Sequence, residues 1–341
     1  MKRLKAVAVG AGYFSQFHFE AWSRMPEVEV VAICDLDIMK AKQTAQYYGV
    51  PRFYDDIDEM LDREKPDFMD IITPPAFHMA ICQKAMARNI AIICQKPLVP
   101  SIEEAEELRL AVKASGVPFM VHENFRFQPW FREIKSLLDR GWVGDRLHSI
   151  YFRMRTGDGW PEDAYLSRQP YFRSMPRLLI YETGIHYVDV FRYLFGEITG
   201  VFAQLRKLNP AIAGEDCAMV LFQFANGASG VLDGNRFNEA DAEDPRYTFG
   251  ELLLEGNGGS IRLDMEGRLR IQPLGKESFE HEYVHQKRNF AGDCVYATQR
   301  HFVESLLQGK SFETNLEDYL HNLRVQEAIY SSSRQGKLLN P

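Results

Sequence analysis

Lys96 and His186 are the residues of this chain best suited to move a proton at a substrate hydroxyl. Lys96 lies two residues after the end of the apolar run 91–94, and the carboxyl ends of such runs form the edge at which open α/β sheets bind ligands. Its ammonium can orient a hydroxyl and favour loss of the proton, which an imidazole, with an ordinary pKa of about 6.5, can accept. Glu182 and Asp189 flank His186 at helical spacing, so either carboxylate can orient the ring, and we assign Glu182 to substrate hydroxyls. Taken singly, a lysine before a proline is usually a solvated loop residue and a helical histidine is usually structural.

A glycine-rich turn, Gly10-Ala11-Gly12-Tyr13-Phe14-Ser15, separates the first apolar run from a helical pattern. The first glycine of such a turn permits the bend, the second lets the backbone approach a pyrophosphate, and the helix N-terminus faces the anion. Ser15 replaces the usual third glycine and is still small. Asp35 ends the second apolar run, where a carboxylate binds adenosine ribose hydroxyls and repels a 2′-phosphate. The pattern predicts NAD in preference to NADP; the alternative is an ordinary βα turn with Asp35 capping the next helix.

Apolar runs alternate with helical patterns over the first part of the chain, which is typical of a parallel sheet built from βαβ units. The predicted strands are 4–9, 28–34, 51–54, 68–72, 91–94 and 118–121. Ser101 and Glu104 have the spacing of a capping box, and Gly116 follows the helix that they begin. We therefore predict a dinucleotide-binding α/β domain over residues 1–122.

The pattern changes to α+β after a boundary near residues 122–127. Helices are predicted at 129–140, 178–195, 294–307 and 316–332, and strands at 148–154, 200–206, 218–224, 229–233, 247–254, 259–264 and 269–273. Several of the strands are separated by Gly or Asn at hairpin-like spacing, which favours one large antiparallel sheet. Residues 123–341 are thus predicted to form an α+β domain for substrate binding and oligomerisation.

Three motifs together carry a resemblance to a known family. They are the glycine turn, the tetrapeptide Cys94-Gln95-Lys96-Pro97, and the segment Glu182-Thr183-Gly184-Ile185-His186. With Thr73-Pro74 and His78 after the fourth strand, the chain resembles, nearly end to end, the glucose-fructose oxidoreductase and inositol dehydrogenase family (Gfo/Idh/MocA). The resemblance implies a Rossmann domain, a second domain on an open antiparallel sheet, a nicotinamide cofactor and catalytic roles for Lys96 and His186.

The chain departs from the family pattern at two positions. Gln95 stands where the family's E-K-P motif has Glu, and Glu182 stands where its D-x-G-x-H segment has Asp. Both keep the ability to hydrogen-bond, but Gln95 removes a charge beside Lys96 and Glu182 adds a methylene at the substrate pocket. These differences suggest a subgroup with a substrate of its own.

The resemblance also implies which side chains meet the cofactor. The predicted NAD-binding residues are Gly10, Gly12, Tyr13, Phe14, Asp35, Thr73, Pro74, His78, Gln95, Lys96 and Asn124. For the residues after the fourth strand, the alternative is a βα turn with a helix-facing histidine. Arg126 is either a substrate ligand or a member of an ion pair at the domain boundary.

A long loop before the helix of His186 is rich in Gly, Pro, aromatic residues and Arg. It contains Asp158, Trp160, Tyr165, Arg168, Tyr171 and Arg173. Long loops inside compact domains are often binding segments, and these side chains suit a polyhydroxylated ligand through stacking and hydrogen bonds. The predicted substrate-binding residues are Lys96, Arg126, Trp160, Tyr171, Glu182 and His186; the alternative is a surface or subunit-contact loop.

Composition limits the remaining function classes. The chain has 341 residues and a net charge of −7, which argues for about two domains and against nucleic acid as a partner. No apolar run is long enough for a signal peptide or a membrane span. Five scattered cysteines, and two histidines four residues apart in an extended pattern (His281 and His285), give no metal site. We expect a cytoplasmic homodimer or homotetramer that pairs through its antiparallel sheet.

These observations predict an NAD-dependent dehydrogenase acting on a CH–OH group of a sugar, an inositol or a sugar-acid derivative. Lys96 would polarise the oxygen, and His186 would accept or return the proton. Two alternatives keep the same scaffold. One is a non-catalytic regulator that binds NAD as a signal, and the other is an enzyme that retains NAD for redox-assisted elimination or hydrolysis.

Overall fold

The computed structural model describes residues 3–341 and divides the chain into two compact units. The first unit extends to Glu123 and also includes Val295–Leu320, and the second comprises Asn124–Cys294 and His321–Pro341. This differs from the division at residue 122 expected from the sequence, because a late segment of the chain packs with the N-terminal sheet.

The first unit is built on a six-stranded parallel sheet in the order β3-β2-β1-β4-β5-β6. Its strands are β1 (Leu4–Val9), β2 (Val28–Cys34), β3 (Arg52–Tyr54), β4 (Phe68–Ile71), β5 (Ala91–Gln95) and β6 (Phe119–His122). The helices between them are α1 (Ser15–Ser23), α2 (Ile38–Tyr48), α3 (Ile57–Glu64), α4 (His78–Met86) and α5 (Ile102–Ser115). This strand order is that of a doubly wound Rossmann sheet, whose ligands bind at the carboxyl edge.

Local signals begin and end these helices, and those of α5 are the ones that the sequence predicts. The Ser101 side chain accepts the Glu104 N–H at the start of α5, and Gly116 ends that helix in the left-handed conformation with φ 69°. The carboxylate of Asp37 accepts backbone N–H groups at the start of α2. Side-chain caps of this kind replace the hydrogen bonds that a helix terminus lacks.

The core on one face of the first unit includes residues from the late segment. Phe302, Val303 and Phe312 are buried with Phe68, Ile93 and Met120. Thr314 fixes this segment to β6, because its hydroxyl donates to the carbonyl of Val121 and its own carbonyl accepts the Val121 N–H. The helix α8 (Cys294–Gln308) is therefore part of the N-terminal core, and α9 (Leu316–Gln335) continues from it into the second unit.

The second unit is built on an eight-stranded sheet in the order β14-β13-β12-β11-β7-β10-β9-β8. Its strands are β7 (Leu147–Arg155), β8 (Ile198–Arg206), β9 (Cys217–Phe224), β10 (Ser229–Asn235), β11 (Gly250–Gly256), β12 (Gly259–Leu263), β13 (Leu269–Pro273) and β14 (Phe279–His281). Two helices of this unit are α6 (Pro129–Asp139) and α7 (Ile185–Phe195).

One pair of neighbours departs from the predicted antiparallel arrangement. β7 and β10 run parallel, whereas the other neighbouring strands are antiparallel. Parallel neighbours need a long crossover, and the chain between these two strands contains the loop, α7 and two further strands. In residues 3–341 no helix combines the length and apolar character that a bilayer span requires.

Candidate active site

The two glycines of the N-terminal turn meet different surroundings. Gly10 has φ +108°, and a Cβ there would lie 2.5 Å from the carbonyl oxygen of Ile72, so only glycine fits. A Cβ on Gly12 would meet nothing within 4 Å. Ser15 is buried, and its hydroxyl donates to the Gly12 carbonyl at 2.7 Å. Gly10 is thus required by the fold, while Gly12 leaves room for a ligand beside α1.

Asp35 connects the end of β2 to this turn. Its Oδ2 accepts the N–H of Ala11 at 2.8 Å, and its Oδ1 accepts the N–H of Asp37 at 2.9 Å. Asp37, and not Asp35, caps α2, so the capping alternative does not describe Asp35. The carboxylate therefore stands beside the glycine turn, where it can accept hydrogen bonds from the ribose hydroxyls of a dinucleotide.

His78 is occupied by the backbone. Its Nε2 lies 2.7 Å from the carbonyl oxygen of Thr73, and its Nδ1 lies 2.7 Å from that of Leu98. Burial lowers the pKa of His78, although both carbonyl contacts act in the opposite direction. His78 thus holds the turn after β4 against the segment after β5, as in the structural alternative, and Pro74 lies exposed at that turn.

Lys96 follows the last residue of β5 and is half-buried. Gln95 points into the first unit, where its amide contacts His18 and His122 and accepts the backbone N–H of Lys96. Gln95, which the sequence predicts to contact the cofactor, is therefore buried in the first unit.

The predicted helix 178–195 has two parts in the structure. Leu179–Gly184 is a π-helical turn, and α7 follows it directly. The wider π turn shifts Glu182 around the axis relative to the one-turn α-helical spacing to His186 that the sequence implied. Such turns are frequent at functional sites.

Glu215 anchors this π-helical turn. Its carboxylate accepts the N–H groups of Leu178 at 3.2 Å and Ile180 at 3.0 Å, and also the hydroxyl of Tyr330 at 2.7 Å. Burial, followed by the charge of Glu215, raises the pKa of Tyr330, so the phenol stays a donor. Sequence analysis missed Glu215, since a single Glu between two strands carries no signal.

In the second unit His186 lies against an aromatic ring, and Glu182 lies near another predicted substrate residue. The imidazole of His186 stacks on the ring of Phe125 with 3.9 Å between centroids and 3° between planes. Burial, and then the charge and a hydrogen bond of Glu182, raise the pKa of Tyr171. The structure thus brings together Glu182 and Tyr171, two predicted substrate residues.

Arg126 lies in an ion pair inside the second unit. Its guanidinium contacts both carboxylate oxygens of Asp189, at 2.7 and 2.5 Å, and Asn322 donates to the same carboxylate at 2.7 Å. Of the two alternatives, an ion pair describes Arg126, but both partners belong to one unit. Asn124 is also buried, and its carbonyl accepts the N–H of Phe127.

A second, partly buried ion pair fixes the aromatic loop. Arg236 lies with its Nη2 2.5 Å from Oδ2 of Asp158 and donates to the Thr183 hydroxyl at 3.1 Å. Its guanidinium also lies 5.1 Å from the ring centroid of Tyr165. Arg236 therefore links the loop to the π-helical turn, a role that sequence analysis missed because a lone Arg after a strand has no distinctive spacing.

Three other residues considered in the sequence analysis, Trp160, His281 and His285, each have a polar side-chain contact. Trp160 is half-exposed and donates its indole N–H to Glu239 at 3.2 Å. His281 contacts Glu133, and His285 contacts the Tyr247 hydroxyl. Among residues 3–341 no group of three or more His, Cys, Asp or Glu side chains is arranged to hold a metal ion.

Family models match both units of the chain. The oxidoreductase family with the NAD-binding Rossmann fold matches residues 4–123, and the GFO/IDH/MocA C-terminal domain matches residues 131–262. The chain belongs to the Gfo/Idh/MocA family. This confirms the resemblance, the fold class and the prediction of an NAD-dependent oxidoreductase.

Members of the Gfo/Idh/MocA family similar to this chain include two D-apiose dehydrogenases. The enzyme of Paraburkholderia graminis is 33% identical over 99% of this chain and 89% of its own length. That of Rhizobium rhizogenes is 30% identical over 100% and 98%. A crystal structure of an Agrobacterium radiobacter oxidoreductase in complex with NAD⁺, L-tartaric acid and magnesium is similar with a TM-score of 0.91, 28% identity, and coverage of 99% of this chain and 98% of that chain.

Proposed function

We propose that this protein is an NAD-dependent dehydrogenase that oxidises a CH–OH group of a small aldose or a related polyol. The observation that carries the proposal is the near-full-length similarity to two D-apiose dehydrogenases in a chain that has both Lys96 and His186. An aldose ring offers its anomeric CH–OH, which would give a lactone, and ring hydroxyls, which would give ketones. D-Apiose is the first substrate to test.

The first unit provides the surroundings that NAD needs. Gly12 leaves the start of α1 open for a pyrophosphate, and the carboxylate of Asp35 stands where adenosine ribose hydroxyls can donate to it. When bound, NAD supplies the hydride acceptor. The same carboxylate disfavours the 2′-phosphate of NADP.

Lys96 and His186 have different roles at the substrate oxygen. The ammonium of Lys96 stabilises negative charge that develops on the oxygen as its proton leaves. The imidazole of His186 accepts that proton, while the CH–OH carbon loses a hydride and becomes a carbonyl carbon. In the reverse direction His186 returns the proton. The stacked ring of Phe125 holds the imidazole plane in one orientation for this transfer.

Glu182 and Tyr171 recognise the other hydroxyls of the sugar. Their mutual hydrogen bond fixes the carboxylate and leaves acceptor positions for substrate O–H groups. Trp160 supplies an exposed apolar ring on the same loop segment. Arg126 has no such role in this proposal, because its guanidinium is held by Asp189.

The test follows NADH absorbance while the purified protein and NAD are offered D-apiose, other aldoses, inositols and uronic acids. Lys96→Ala and His186→Ala should each lower kcat/KM by about 100-fold or more. Lys113→Ala and His148→Ala remove exposed residues of the same types and should leave the rate unchanged. NAD binding without turnover on any substrate would favour the regulator, and NADH that stays with the protein on a desalting column would favour the retained-cofactor alternative.

We also propose that two copies of the chain pair through the eight-stranded sheet. β9 alternates buried and exposed residues, and Met219 and Leu221 stand on its exposed side. Large apolar side chains on one sheet face are suited to pairing with a second copy. Light scattering should give a dimer or tetramer for the wild type and a smaller species for Leu221→Glu.

A further inference from the structure

The amide of Gln95 joins three groups of the first unit. Its Oε1 accepts the backbone N–H of Lys96 at 2.8 Å, and its Nε2 lies 2.9 Å from Nε2 of His18 and 3.2 Å from Nδ1 of His122. The two imidazole rings lie against each other with 4.2 Å between centroids. Gln95 and both histidines are buried.

The backbone N–H of Lys96 determines which way this amide faces. An N–H only donates, so the atom of Gln95 that it meets must be the carbonyl oxygen. The NH₂ group of Gln95 then faces the two imidazoles. Because that group also only donates, the ring nitrogen of each histidine nearest to it must present a lone pair.

These constraints fix the protonation of both rings. Nδ1 of His18 lies 2.8 Å from Oδ2 of Asp70, a carboxylate oxygen that also accepts the indole N–H of Trp22 at 2.7 Å. Nδ1 of His18 therefore carries the proton, and Nε2 is the acceptor. In His122 the acceptor is Nδ1, so the proton is on Nε2. With these assignments both rings are neutral, and they are opposite tautomers.

We propose that Gln95 is a positioning residue that holds His18 and His122 neutral in opposite tautomers and connects both rings to the backbone of Lys96. A carboxylate at position 95 could not make the same set of bonds. Its second oxygen would face the lone pairs of two rings, and His18, whose Nδ1 proton is directed to Asp70, would become a donor to that oxygen by binding a second proton. The amide thus keeps a second carboxylate, in addition to that of Asp70, and an imidazolium out of this buried cluster. The catalytic part of this role rests on the proposed function, in which Lys96 contacts the substrate oxygen.

The direct test is ¹⁵N spectroscopy of the intact protein labelled on histidine, with the two signals assigned by their loss in His18→Gln and His122→Gln. In the wild type at neutral pH, His18 should show a protonated Nδ1 and an unprotonated Nε2, and His122 the reverse. Two similar nitrogen shifts, as in an imidazolium, or the same tautomer for both rings would overturn the proposal. The measurement does not depend on turnover.

Three variants extend the test to function. Gln95→Glu should convert His18 to an imidazolium, and Gln95→Met, of similar length but without polar atoms, should lower kcat/KM about tenfold or more by releasing the Lys96 backbone. Gln83→Glu makes the same amide-to-carboxylate change on the exposed side of α4 and should alter neither property. Unchanged histidine shifts in Gln95→Glu, or an unchanged rate in Gln95→Met, would contradict the positioning role. Retained activity in Lys96→Ala would instead refute the proposed function and leave the tautomer result standing.

Discussion

Arg126 and Asp189 form a buried ion pair with two hydrogen bonds, Nε to Oδ2 at 2.7 Å and Nη2 to Oδ1 at 2.5 Å. Removing the guanidinium leaves the buried carboxylate of Asp189 beside the neutral amide of Asn322 and without the charge of Arg126. Arg126→Met should therefore destabilise the second unit by about 3–5 kcal/mol. Urea unfolding followed by tryptophan fluorescence measures this loss. Arg268→Met breaks an exposed pair with Asp264 and should change the free energy of unfolding far less. Equal losses in both variants would contradict the prediction.

The two glycines of the N-terminal turn should separate folding from cofactor binding. Gly10→Ala places a Cβ against the carbonyl of Ile72 and should lower Tm. Gly12→Ala meets no protein atom and should leave Tm unchanged, but its methyl group would occupy the space that a pyrophosphate needs. Thermal unfolding with and without NAD checks both. A Gly12→Ala variant with wild-type NAD affinity would show that the pyrophosphate does not approach this turn.

Asp35 should determine the choice between the two nicotinamide dinucleotides. Asp35→Asn removes the charge that repels a 2′-phosphate while keeping an acceptor for the Ala11 N–H. The ratio of the Kd values for NADP and NAD should fall by about tenfold or more. Asp37→Asn changes a neighbouring carboxylate that caps α2 and is the matched control. The same ratio in both variants would count against an adenosine-ribose role for Asp35.

The pair of Asp158 and Arg236 should make stability depend on acid pH. Burial alone would raise the pKa of Asp158, but the charge and hydrogen bond of Arg236 hold it below its ordinary value of 3.8. A depressed pKa in the folded state means that the unfolded chain binds the proton first as the pH falls. The stabilisation is therefore complete above the unfolded pKa and is lost as the pH falls through the lower, folded pKa.

The measurement compares the free energy of unfolding of the wild type and Asp158→Asn from about pH 7 down to about pH 3. The wild type should be the more stable at neutral pH, and the gap should narrow at the acid end of the series. A gap that stays constant over this range would show that Asp158 does not titrate with a depressed pKa.

Glu215 should affect the second unit without affecting the first. Glu215→Ala removes the acceptor of the Leu178 and Ile180 N–H groups and so loosens the π-helical turn that carries Glu182. We expect KM for the sugar to rise about tenfold or more and Kd for NAD to stay the same. Glu277→Ala, on an exposed turn, is the control. A parallel loss of NAD affinity would mean that the variant is generally misfolded.

Local signals in the sequence account for much of the fold. The apolar runs and the caps at Ser101 and Gly116 predicted the six-stranded sheet and α5, because hydrophobic period and helix-end chemistry act within a few residues. Pairings between distant segments left no such signal. The parallel contact of β7 with β10 and the return of residues 295–320 to the first unit depend on packing across the chain.

The candidate site also combines features that local sequence signals predict with features that depend on distant segments. Residue types and motif spacing singled out Lys96 and His186, and the structure adds the partners that orient them or their neighbours. The acceptor role of Glu215, the link from Arg236 to Thr183 and the inward amide of Gln95 arise only when separate segments meet. Arg126 shows why sequence alone is insufficient. Its charge is compatible with a substrate contact or an ion pair, and only the position of Asp189 beside it distinguishes the two.

The late segment 295–320 also determines when the core on one face of the N-terminal sheet can be completed during synthesis. Phe302, Val303 and Phe312 cover Phe68 and Met120, so a nascent chain that ends at residue 123 carries an uncovered apolar face. The ribosome must make nearly the whole second unit before that cover emerges, so this apolar face lacks its cover in the meantime. A nucleotide-binding fragment for biotechnology would therefore have to join residues 1–123 to 295–320 through a linker, because truncation alone discards part of its core.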